Sequence, residues 1–155
     1  MTTTPDTTAY RLPDTLQEVY DIVAQHLLTQ GAVALQTLPH GGVACAYRGD
    51  NGLKCAIGAL IPDHLYCPEL EGKGPVAALA DIGLLNVNDL SNPSTLALTQ
   101  LLILLQRAHD DAQGLYPHEV VPFWKRRLAE IAERFELRPF TRAMQETSDA
   151  SAPCA

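Results

Sequence analysis

Two apolar stripes in the second half of the chain repeat at helical spacing, and they limit the fold more than any other feature. Leu98, Leu101, Leu102 and Leu105 form one continuous face, with Ser91 placed to cap a helix that runs to about Gln113. After a turn from Gly114 to His118, the residues Val120, Trp124, Leu128, Ile131 and Phe135 line one side of a last helix. Pro122 fits that helix if it falls in the first turn, where a missing N–H breaks no bond. Helices apolar along one side need further elements to cover them.

The first half supplies those elements. Thr15 or Asp14 can cap a helix carrying Leu16, Val19, Tyr20, Val23 and Leu27, and Gly31 ends it. Ala32 to Leu38 reads as a strand, followed by a turn at Pro39-His40-Gly41-Gly42. Val43 to Arg48 and Leu53 to Ala56 flank Gly49-Asp50-Asn51-Gly52, and Asn-Gly there is a strong hairpin signal. Ala56 to Ile61 can start a short helix that Pro62 limits, Asp63 to Gly74 reads as a loop, and Pro75 opens a helix to Leu84. The expectation is an α+β fold: an N-terminal helix, a small antiparallel sheet, then a mainly helical half packed on it. Residues 1–11 read as a flexible lead-in, 12–140 as one domain and 141–155 as a disordered tail.

Charge and cysteine usage exclude several classes of function. With 155 residues, 11 Lys+Arg and 18 Asp+Glu, the net charge is −7, which argues against general nucleic-acid binding; it would suit a basic partner surface, but acidity also simply keeps a small protein soluble, and that plainer reading carries more weight. No apolar run spans a membrane and no export signal precedes the domain, so the four cysteines read as free thiols in the cytoplasm.

The stretch from Cys45 to Gly72 concentrates the chemistry-bearing residues, and three readings compete there. In the first, zinc is held by the close pair His64 and Cys67, with Cys55, Cys45 and His40 as distant candidates for further ligands; the absence of any C-x₂-C pair counts against it. In the second, Cys55 is a nucleophile and His109 with Asp110 its base. His109, however, continues the buried Leu98–Leu102–Leu105 spacing, and adjacent helical residues point about 100° apart, so Asp110 is not expected to orient it. The third reading is structural: cysteines pack as small apolar groups, while Arg48 and Lys54 pair with Asp63, Glu69 or Glu71 to hold the loop onto the hairpin. The third carries the most weight, and no cofactor is expected.

The residues Tyr47-Arg48, Gly52-Leu53-Lys54-Cys55-Ala56-Ile57-Gly58 and Leu60-Ile61-Pro62-Asp63 resemble a family of small uncharacterised bacterial, prophage and phage proteins. Tyr66 and the Leu105-Gln106 and His109-Asp110 pairs are similar to the more C-terminal positions of that family. The resemblance implies an accessory protein of a mobile element, with no particular reaction attached. The expected function is therefore binding to a host or phage protein. Tyr47, Arg48, Lys54, Asp63, Tyr66 and Glu71 are the candidate contact residues. A cysteine- or zinc-dependent enzyme and a homodimer built on Leu96 to Leu105 are the alternatives.

Overall fold

The computed structural model describes residues 10–141. The expected lead-in and tail therefore fall, apart from Tyr10, Arg11 and Thr141, outside the described residues. The fold is α+β: helix α1 (Leu16–Gln30), a two-stranded sheet of β1 (Leu35–Thr37) and β2 (Val43–Cys45), a series of short turns, then α2 (Pro75–Asp81), α3 (Pro93–Asp110) and α4 (Pro117–Arg134). No helix among the described residues is long and apolar enough to cross a membrane.

Local chemistry accounts for the helix ends. Thr15 closes a capping box with Glu18, and Gly31 takes the left-handed conformation (φ 67°) that lets its N–H reach Leu27 O. Helix α3 starts later than Ser91 suggests: Asn92 accepts from Ser94 N, and Pro93 occupies the first turn. Helix α4 starts earlier than expected because Pro117 opens it, which leaves Pro122 inside the helix. The bond Pro122 forgoes would have gone to the carbonyl of His118, an exposed residue near the helix start.

Helices α1, α3 and α4 pack on one another, α2 covers α3, and the turn at Gly58–Leu60 packs on α1. Leu27, Leu79, Leu101, Leu102, Leu105, Trp124 and Leu128 are fully buried between them. Trp124 Nε1 donates to Ala108 O at 3.1 Å, and Tyr20 Oη donates to Leu128 O at 3.0 Å, which satisfies the polar ends of both rings inside the core.

The sheet is smaller than the sequence suggests. Pairing of β1 with β2 is antiparallel, Leu35 to Cys45 and Thr37 to Val43, around the Pro39–Gly42 turn. The second hairpin shrinks to one bridge, Arg48 to Lys54, whose five-residue loop holds the turn Asp50–Gly52, where Asn51 (φ 61°) and Gly52 (φ 74°) take positive φ. Its would-be ladder bonds go to side chains instead. The Gln30 carboxamide bonds both Lys54 N and Lys54 O at 2.9 Å, and His26 Nε2 donates to the same carbonyl at 2.9 Å. Asp50 takes Thr37 N–H at 3.1 Å, closing the outer edge of β1. The expected short helix from Ala56 is only the turn Gly58–Leu60.

Burial holds the His26 imidazole below its ordinary value of 6.5. The unfolded chain thus takes up the proton more readily, so this contribution to stability is present above about pH 6.5 and is lost as pH falls through the folded value. Urea unfolding at about pH 7.5 and about pH 5.5 is expected to show the drop, and His26→Gln to make it smaller.

Candidate functional site

Six residues singled out in the sequence meet in one knot on the loop side of the sheet. Glu71 Oε2 accepts Tyr47 N–H at 2.9 Å, while its Oε1 accepts Arg48 N–H at 3.0 Å and the Tyr66 hydroxyl at 2.8 Å. The Arg48 guanidinium donates to Gly58 O at 2.7 Å, Ile61 O at 2.6 Å and Asp63 Oδ1 at 3.1 Å, and lies 4.9 Å from the centre of the Tyr66 ring. Lys54 Nζ reaches the same Asp63 oxygen at 3.4 Å. Both cations hold the Asp63 carboxyl below its usual range, Lys54 more than Arg48. Burial and the Glu71 bond push the Tyr66 hydroxyl up to about 12. These charges are used within the loop: they fix it onto the hairpin.

A second cluster forms where β2 meets the end of α3. His109 is 0 % exposed and stacked on Trp124 with ring centres 5.8 Å apart. Its Nε2 accepts the Ala34 backbone N–H at 3.0 Å, so that nitrogen carries a lone pair and the proton sits on Nδ1. Nδ1–H then donates to Asp110 Oδ1 at 2.9 Å, against the expectation that a helical neighbour would point away. Gln106 Nε2 donates to the same oxygen at 2.8 Å, and Gln106 Oε1 accepts Ile57 N–H at 3.1 Å. The Cys45 thiol donates to Gln113 Oε1 at 3.4 Å, and its sulfur lies within 4.8 Å of the Asp110 carboxylate.

This arrangement bears on both catalytic candidates. Cys55 is 0 % exposed, its sulfur accepts Gly58 N–H at 3.3 Å, and burial pushes the thiol up to about 12. The segment after it forms only the single turn Gly58–Leu60 rather than the helix expected from Ala56, so it supplies no helix N-terminus to the thiol. His109 has both ring nitrogens engaged and cannot reach for a substrate proton. Cys55 is therefore expected to react at least ~100-fold more slowly with a maleimide at about pH 8 than after unfolding, read by mass mapping of its peptide.

The metal candidates separate. His64 is exposed, Cys67 half-buried and Cys55 in the core, and they form no ligand group among the described residues. Donor atoms of Cys45, His109 and Asp110 do lie within 4.8 Å of one another. That set fits a metal poorly. Ligation through Nδ1 needs its proton removed while Nε2 still faces an N–H donor, which leaves no place on the ring for a proton. Sequence reasoning missed Cys45, Gln106 and Gln113 as members of this cluster; the Gln106 and His109 spacing on one helix face was the available signal.

Above Asp110 lies a polar cleft of about 270 Å³, lined by Cys45, Tyr47, Glu71, Gly74, Gln106 and Asp110 among others. Compared with known protein families, curated proteins and solved structures, the chain has no match.

Proposed function

We propose that the chain is an interaction protein of a bacterial mobile element, acting in the cytoplasm by docking on a basic host or phage protein. The docking face is the β1–β2 hairpin, the Cys45–Gly72 segment and the adjoining end of α3. The observation that carries the reading is the surface at β2. Leu38 and Val43 are 40 % and 48 % exposed at the hairpin, and β2 leads directly from Val43 to Cys45 at the acidic cleft. Apolar anchors beside polar groups are how binding faces are built. The sealed Cys55 and the doubly bonded His109 give chemistry no comparable support.

The test is recovery of the tagged chain from its own host with Val43→Asp and Leu38→Asp beside wild type. A basic partner that wild type retains at about 0.05 M salt, loses at about 0.5 M, and that both variants fail to retain supports the reading. Equal recovery by the folded variants contradicts this docking face.

A second reading has its own observation. Leu96 and Ile103, seven residues apart on α3, are exposed with Val87 and Leu90 ahead of them, which favours self-association along that helix. Light scattering that gives the mass of one chain at high concentration removes it.

A further inference from the structure

The charge of Asp110 has no counterpart inside the protein. Its two buried donors, His109 Nδ1–H and Gln106 Nε2, are both neutral, so an uncharged acceptor would serve them as well. Among the described residues no Lys or Arg stands within ion-pair distance of it, whereas the neighbouring Asp111 pairs with Arg127. Glu71 lines the same cleft, but its two oxygens already accept three bonds. Lys73 also lines the cleft, and its ammonium is paired with Asp81. What remains is one carboxylate, 42 % exposed, held from below by two buried side chains and opening on a cleft of about 270 Å³.

A carboxylate fixed by its own neighbours needs no reorganisation when a cation arrives, and the low-dielectric wall beneath it strengthens the attraction. The cleft is smaller than the roughly 300–1,000 Å³ of sites that enclose whole small molecules, and suits a single side chain.

We infer that the Asp110 cleft receives one cationic side chain, arginine or lysine, of a basic polypeptide partner. The inference deepens the docking reading above and rests on it. Asp110 supplies the charge, His109 and Gln106 position it, and Cys45 lines the cleft on the β2 side.

The test uses the full chain labelled with ¹⁵N and the capped tripeptide acetyl-Gly-Arg-Gly-amide, with the citrulline tripeptide as its neutral counterpart. Saturable shifts at millimolar peptide, centred on the Gln106 side-chain amide and the Gly72 and Gly74 N–H groups, are the expected result, with none from citrulline. Asp110→Asn keeps an oxygen for both buried donors and is expected to lower affinity at least about tenfold. Should that variant fold poorly, the salt dependence of wild-type binding takes its place: affinity falling with added salt supports the site. Equal response to citrulline, shifts centred elsewhere, or no response to the arginine peptide overturns the assignment. A partner recovered equally well by Asp110→Asn also overturns it while leaving the docking reading intact. Peptide binding here with the hairpin variants still retaining their partner has the reverse meaning.

Discussion

Gly58→Ala is expected to lower stability by about 3 kcal/mol or more, without touching any exposed residue. A Cβ at this position would overlap the Tyr47 carbonyl oxygen and stand 3.3 Å from Arg48 Nη1. The obstacle is backbone, so no rotamer change relieves it; the Gly58–Leu60 turn must move away from the hairpin. That movement also strains the bond from Arg48 to Gly58 O, which joins the two segments. Urea unfolding measures the loss, and a change within about 0.5 kcal/mol would show that the two backbones are not held this close.

Arg48→Ala is expected to cost about 3 kcal/mol and to loosen the whole loop from Ile57 to Glu71. The side chain is only 17 % exposed, and its removal takes a charged bond from Gly58 O, which keeps only the Ile61 N–H at 3.2 Å, and leaves Ile61 O without the donor it has here. Its ion pair with Asp63 adds little, since Asp63 is open to solvent. Arg48→Lys is expected to recover less than half of the loss, because one ammonium cannot reproduce the planar fork over Tyr66 and between two carbonyls. Unfolding midpoints separate this structural role from a docking role, in which Arg48→Ala would leave stability unchanged and abolish partner recovery.

Whatever repeats locally is legible in the chain. The stripes Val19–Tyr20–Val23–Leu27 and Leu101–Leu102–Leu105 announce α1 and α3, and Thr15, Gly31 and Pro75 mark helix boundaries through their own backbone chemistry. The strands are shorter than their residues suggest, for a physical reason. Between Ala34 and Ile57 the backbone is satisfied by side chains arriving from far along the chain: His109 on Ala34, Glu71 on Tyr47 and Arg48, Gln30 on Lys54, Gln106 on Ile57. Such bonds replace a ladder without leaving any periodic signal nearby. The candidate site shows the same limit. Arg48, Lys54, Asp63, Tyr66 and Glu71 are identifiable as a group, but whether their charges face solvent or one another depends on pairings that spacing does not encode. Asp110 escapes the angular rule for helical neighbours because that rule concerns Cβ directions, whereas the imidazole Nδ1 edge reaches well beyond its Cβ.

The proposed binding of a basic protein and chemistry at a cysteine or a metal predict different masses for the isolated chain. Native mass spectrometry of the chain freshly isolated from its own host at low salt separates the two. The predicted result is a defined complex with a second, basic protein, in which this chain carries its bare mass and no zinc. A chain recovered alone with the mass of one bound zinc, or with a covalent adduct on Cys55, would contradict it.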